Sequence, residues 1–258
     1  MKGLEDIAPD VVRTFKSAVS GRPEGLHYSD FFACLEGVLM KLFIDTGNIK
    51  EVETLAALGI IDGVTTNPSL LAKEPGDYRQ NLRTICEIVK GPVSGEVTAT
   101  DFAGMIAQGH DIAAIHEHMV VKVPLTRDGI RACRALSGEG LRVNVTLVFT
   151  PAQALLAAKA GAAFVSPFVG RLDDVSTSGM AVVREILEIY GNYAFTTEVL
   201  VASCRHPLHV VEAARMGAGV ATCPASVIDA LFNHPLTNIG LERFLKDWEK
   251  AQAVSTRQ

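Results

Sequence analysis

The chain has 258 residues, 48% of them hydrophobic, with 24 Lys plus Arg against 29 Asp plus Glu and a net charge of -5. That apolar content excludes disorder as the main state, and the acidic balance excludes a non-specific nucleic-acid or acidic-membrane binder. No run approaches the roughly 18 apolar residues that a membrane span requires. The five Cys are odd in number and lack a C-x-x-C, which argues against a disulfide framework or a zinc ribbon. They read instead as buried free thiols of a cytoplasmic protein. Glu5, Asp6 and Asp10 do not fit a signal or transit peptide.

Residues 1–39 place Pro9, Gly21, Pro23 and Gly25 in loop-like positions, with short helical stretches around Val11–Val19 and Asp30–Leu39. They read as an N-terminal extension preceding a domain over residues 40–258. From Met40 onward, β-branched and apolar runs alternate with helical periodicity. Strands are expected at 41–45, 60–65, 93–97, 119–123, 142–148, 162–166, 196–202 and 219–222. Helices are expected between them, among them Ile49–Leu58, Tyr78–Val89, Gly104–Ile115 and Met180–Tyr190. A strand and helix recur about every 25 residues, eight times over, which predicts an α/β chain folded as a single (β/α)8 TIM barrel. An open doubly wound sheet is the alternative, but no G-x-G-x-x-G follows the first strand. Residues 236–252 predict a C-terminal extra helix with Leu241, Phe244, Leu245 and Trp248 on one face.

Chemistry in a parallel barrel gathers at the C-terminal ends of the strands. The polar residues expected there are Asp45, Thr65, Asn67, Glu96, Lys122, Asn144, Thr146, Ser166 and Ser203, with Arg171 and Arg205 in the loops that follow. Lys122 stands in the apolar run M-V-V-K-V-P-L. Burial disfavours an ammonium, and a neutral amine attacks carbonyls to form a Schiff base. The alternative is a lysine whose head reaches water. Asp45 suits a general base or, alternatively, a turn or helix-cap carboxylate. Glu96 suits a proton relay through water or a salt bridge to Lys122. Arg171 and Arg205 follow adjacent strands and suit a phosphate dianion, or else lie as solvated charges. His116 and His118 form H-E-H but precede the fourth strand, away from the catalytic end. His206 and His209 lack a carboxylate partner by spacing. No metal and no cofactor is therefore expected.

The motifs F-I-D-T at 43–46, V-T-T-N-P-S-L at 64–70, V-V-K-V-P at 120–124, N-V-T-L-V-F at 144–149 and S-P-F-V-G-R at 166–171 resemble those of the transaldolase family, in its short-chain branch. The resemblance runs from Met40 to about Trp248 and leaves residues 1–39 outside. It implies a transaldolase that moves dihydroxyacetone between sedoheptulose 7-phosphate and glyceraldehyde 3-phosphate, in the pentose phosphate pathway. Lys122 then resembles the imine-forming lysine and Asp45 the base that takes the C4 hydroxyl proton. Glu96 and Thr146 resemble the pair that holds a catalytic water. Asn67, Asn144 and Ser166 look like hydroxyl-binding groups, with Thr65 beside them, while Arg171, Arg205 and Ser203 resemble a phosphate clamp. A sister branch, the fructose 6-phosphate aldolases, has Gln in place of Glu96 and Tyr in place of Phe168. That aldolase activity, or a transaldolase for sulfonated sugars, is the alternative on the same scaffold. The family also implies phosphorylated sugars as partners and a homo-oligomer, commonly a decamer of two pentamers.

Overall fold

A computed structural model describes residues 39–255 of the chain. The expected extension over residues 1–39 lies, apart from Leu39, outside the described residues, as does Cys34. The barrel belongs to a compact unit running from Met40 to Gln258.

Eight strands run in chain order: β1 (Lys41–Asp45), β2 (Gly63–Thr65), β3 (Val93–Glu96), β4 (Met119–Pro124), β5 (Val143–Val148), β6 (Phe164–Pro167), β7 (Glu198–Val201) and β8 (Val220–Cys223). Each pairs in parallel with its sequence neighbour, and β8 returns to β1, so the sheet closes as a barrel. Around it lie α1 (Ile49–Ala56), α3 (Tyr78–Val89), α4 (Phe102–Ala113), α5 (Arg127–Gly138), α6 (Pro151–Ala160), α8 (Gly179–Asn192), α9 (Pro207–Met216) and α10 (Ala225–Phe232). Two short helices, α2 (Pro68–Leu71) and α7 (Val169–Asp173), follow β2 and β6, and α11 (Pro235–Ser255) ends the described chain. This is the (β/α)8 barrel expected from the alternating pattern.

The period of two along each strand sorts the side chains. Ile44, Val64, Val93, Val121, Val123, Val143, Val145, Val165, Val199 and Val201 face outward and pack with the apolar faces of the helices. Phe43, Val120, Phe164, Leu200 and Val220 face inward and form a separate, smaller cluster. Burying each such side chain contributes about 1.5–3 kcal/mol. The Phe43 and Phe164 rings meet edge-on at 6.2 Å, and Gly63 leaves them room, because a Cβ there would stand 2.6 Å from the Phe43 ring. One step further toward the C-terminal ends, the inward positions turn polar, and the candidate site is built on that level.

Helix starts follow side-chain capping. Asn48, Asp77, Asp101, Thr126 and Thr150 each accept a backbone N–H of the first turn, a contribution of about 1 kcal/mol apiece. Capping by Asp101 starts α4 two residues before the expected Gly104. β2 starts at Gly63, later than the expected residue 60. The Asp62 N–H donates to Leu42 O at 2.9 Å and its carboxylate accepts from Leu42 N at 2.8 Å, which ends the preceding loop beside β1. β7 stops at Val201; Ala202 makes only an isolated bridge to Phe168, and Ser203 turns left-handed at φ 59°. Among the described residues no helix is long and apolar enough to cross a membrane.

Candidate active site

Lys122 is the centre of the polar level. It lies in β4, 5% exposed, with its Nζ 3.0 Å from Glu96 Oε2 and donating to Thr66 O at 3.0 Å. Strand register sets this up: Glu96 of β3 and Asn144 of β5 are the cross-strand partners of Lys122. The amine therefore points into the barrel, ion-paired and away from bulk water, and is not the water-reaching lysine that the sequence allowed. Glu96 makes the salt bridge that was its alternative, in a place where it can also receive the amine's proton.

Asp45 ends β1 on the same level. Its Oδ1 accepts from Thr65 Oγ1 at 2.7 Å, and Thr65 Oγ1 lies 2.7 Å from Thr222 Oγ1. Burial pushes the Asp45 carboxyl above its ordinary range, against the Thr65 hydrogen bond and the charge of Lys122. Asn48 is the cap of α1, so Asp45 is free of that duty. A raised carboxyl within the electrostatic reach of a buried amine suits a general base. Cys204 and Cys223 lie nearby. Their mutual hydrogen bond, burial and the Asp45 charge push the Cys204 thiol well up, which keeps it protonated and inert.

A second hydrogen-bonded row crosses the barrel. Ser166 Oγ donates to Asn144 Oδ1 at 2.7 Å, and Asn144 Nδ2 donates to Ser94 Oγ at 3.2 Å. These bonds fix which way the Asn144 amide faces. Thr146 is fully buried, and its hydroxyl has no hydrogen-bond partner among the described residues. The strand bulges just beyond it, where the β5–β6 register shifts between Val145 and Val148 and Leu147 takes φ 58°. Bulges of this kind re-aim side chains beside active sites. The orphaned hydroxyl is available to a water or a substrate hydroxyl. Asn67 spends its Oδ1 capping α2, accepting from Leu70 N at 3.0 Å.

Arg171 lies in α7 past β6 and Arg205 in the loop past β7, and these two segments touch. Gly170 N donates to Ser203 O at 3.1 Å, and a Cβ on Gly170 would meet the Arg205 Cγ and Nε at 2.7 Å, so only glycine lets the two loops approach. The Arg171 guanidinium sits 5.0 Å from the centre of the Phe168 ring, with no carboxylate partner among the described residues. Arg205 is bidentate to Asp174, at 2.8 and 2.5 Å. Phe168 also packs on Phe149, with ring centres 6.0 Å apart.

The structure corrects one expectation about the histidines. His209 has a carboxylate partner, Asp173 Oδ2 at 2.9 Å, brought from 36 residues away by the fold and so invisible to local spacing. His116 and His118 sit before β4, with the His118 N–H donating to His116 Nδ1 at 3.2 Å. Cys86, Cys133, Cys204 and Cys223 are free and buried, as expected. The sequence reading missed Ser94 and Thr222, which belong to the polar level. Each stood two positions from a recognised inward residue or at the end of an expected strand, so strand parity alone could have found them.

A buried lysine paired with a carboxylate, facing a second carboxylate at the C-terminal mouth of an α/β barrel, defines a class of enzyme that works through an amine on carbonyl substrates. The sequence pattern of the family described as Transaldolase/Fructose-6-phosphate aldolase matches residues 42–257. A protein called a probable transaldolase in Syntrophobacter fumaroxidans is 58% identical over 217 residues, covering 83% of this chain and 98% of that one. Another of that description in Chlorobium limicola is 60% identical over 216 residues, covering 81% and 97%. The chain belongs to the transaldolase/fructose-6-phosphate aldolase family and is an enzyme of the transaldolase type. The fold is also shared with a crystal structure described as a putative fructose-1,6-biphosphate aldolase from Coccidioides immitis, at TM-score 0.52, 14% identity and coverage of 74% and 75% of the two chains.

Proposed function

We propose that the protein transfers a dihydroxyacetone unit from sedoheptulose 7-phosphate to glyceraldehyde 3-phosphate, giving erythrose 4-phosphate and fructose 6-phosphate, as a cytoplasmic step of the pentose phosphate pathway. The observation that carries this reading is the buried Lys122 amine, 3.0 Å from Glu96 and within electrostatic reach of Asp45. Glu96 takes a proton from Lys122, and the amine adds to the C2 carbonyl of the donor. Water then leaves with protons relayed by Glu96 and the Thr146 hydroxyl. Asp45 accepts the C4 hydroxyl proton, the C3–C4 bond breaks, and its electron pair flows into the iminium to leave an enamine on Lys122. The aldose departs, and the acceptor aldehyde takes its place. The enamine carbon attacks that aldehyde, Asp45 returns its proton to the new alkoxide, and hydrolysis frees the product and Lys122.

The iminium itself serves as the electron sink, so this chemistry needs no metal or cofactor. Asn67, Asn144 and Ser166 hold the hydroxyls of the three-carbon unit, beside Thr65 on Asp45. Arg171, Arg205 and Ser203 take the phosphate. Phe168 places a ring with no hydroxyl at the mouth, so this side chain offers the enamine no proton and does not promote release of dihydroxyacetone. The catalytic set lies wholly in the 40–258 domain, with residues 1–39 as an extension. The apolar face of α11 leaves Phe244 73% and Trp248 63% exposed, which supports a homo-oligomer in which this helix docks on a neighbouring subunit, a decamer by family resemblance. The test is fructose 6-phosphate turnover with and without erythrose 4-phosphate. Turnover should depend on the acceptor. Equal release of dihydroxyacetone in its absence would overturn transfer in favour of an aldolase.

A further inference from the structure

We propose that Asp173 and His209 are positioning residues of the phosphate clamp, a carboxylate–imidazole pair that sets the backbone of Arg205 and thereby its guanidinium. The inference rests on the clamp assigned to Arg171 and Arg205 above. Three segments meet at this pair. Asp173 ends α7, the helix that carries Arg171, and its Oδ1 accepts from Gly179 N at 3.0 Å, the first residue of α8. Its Oδ2 lies 2.9 Å from His209 Nε2. His209 Nδ1 in turn accepts the Arg205 backbone N–H at 3.2 Å.

The tautomer follows from these contacts. A backbone N–H only donates, so Nδ1 is the bare nitrogen and the proton sits on Nε2, directed at Asp173. Burial, and the neighbouring His206 with its ring centre 3.8 Å away, push the His209 imidazole below its ordinary range against the pull of Asp173 and Glu212, toward the neutral form this network needs. His209 is 5% exposed and cannot itself meet a sugar phosphate, so its effect on substrate passes through Arg205. The guanidinium end of Arg205 is held separately by Asp174. The backbone end is thus fixed by one carboxylate through an imidazole, and the charged end by the next residue, Asp174, which caps the C-terminal end of that helix.

Three variants test the pair: His209→Leu, His209→Gln and Asp173→Asn. Leu removes both hydrogen bonds. The Gln amide can accept from Arg205 N and donate to Asp173, so it should rescue. Asn at 173 can turn its NH2 toward Nε2, forcing the proton onto Nδ1, where it opposes the Arg205 N–H. The readouts are KM for fructose 6-phosphate, the inhibition constant for inorganic phosphate, and kcat, with Arg205→Ala as the reference for the clamp. His209→Leu and Asp173→Asn should raise KM and the phosphate constant by about tenfold each, the scale of one hydrogen bond lost beside a charge, while kcat falls less than about threefold. His209→Gln should stay within about threefold of the parent in all three. If Arg205→Ala raises both constants and the other variants do not, the positioning role is overturned and the clamp stands. If Arg205→Ala changes neither constant, the clamp reading falls and takes this inference with it. Should His209→Leu fail to fold, Asp173→Asn set against His209→Gln decides the matter, and equal behaviour of those two overturns the proposal.

Discussion

Replacing Glu96 by Gln isolates the carboxylate at the centre of the proposed proton route while keeping the shape of the side chain. Glu96 and Lys122 lie 3.0 Å apart with side chains 15% and 6% exposed, so solvent screens the pair little. At an effective dielectric of about 20 their attraction is about 5 kcal/mol. Removing one partner of a buried pair costs about 3–5 kcal/mol, because the remaining charge loses its compensation. Lys122 keeps the Thr66 carbonyl as an acceptor, so a loss near the low end, about 3 kcal/mol, is expected. For a domain of this size that lowers the melting temperature by about 6–12 °C. The kinetic effect is separate. Without a carboxylate to take and return protons, imine formation should slow by about 10²–10⁴-fold. Calorimetry measures the first, and the rate of borohydride trapping with fructose 6-phosphate measures the second. Trapping at the parental rate would refute Glu96 as the proton relay, whatever happens to the melting temperature.

Asp45→Asn should still trap the donor as an imine yet cleave the C3–C4 bond about 10²–10⁴-fold more slowly, read as release of erythrose 4-phosphate from fructose 6-phosphate. The same variant carries a pH signature. Burial raises the folded carboxyl above its ordinary value of 3.8, so the folded state binds that proton more tightly than the unfolded chain, and stability is lost as pH rises through the raised value. At neutral pH Asp45→Asn should therefore melt higher than the parent, with the advantage vanishing in acid; a lower melting point at pH 7 would count against the buried-carboxylate account. Phe168→Tyr places a hydroxyl at the mouth and should raise acceptor-independent release of dihydroxyacetone at the expense of transfer, checked by assaying both in one preparation. Phe244→Asp with Trp248→Asp should dissociate the oligomer, and light scattering showing an unchanged assembly would exclude α11 as the interface.

Much of this was legible in the chain. The βα period gave eight strands in the right order because parallel strands buried on both faces read as short, near-continuous apolar runs set between amphipathic helices. Lys122 was legible because a charged residue inside M-V-V-K-V-P breaks an otherwise apolar run. The strand limits at Gly63 and Val201 were not, since they depend on Asp62 bonding to β1 and on the left-handed turn at Ser203. The hydrogen bonds from Thr65 to Thr222 and from His209 to Asp173 join residues 157 and 36 positions apart. No local spacing encodes such pairs; they exist only once the barrel has closed. The exposure of α11 was equally hidden, because an apolar helix face reads the same whether it packs on its own chain or on another.

The proposed transfer depends on a covalent bond between Lys122 and the donor carbonyl. Reduction with borohydride in the presence of fructose 6-phosphate, followed by peptide mass mapping, reads out that bond. A sugar-derived adduct should appear on the peptide containing Lys122, and none in Lys122→Arg, whose guanidinium stays protonated. An adduct on a different lysine, or full activity with no trapped adduct, would contradict it.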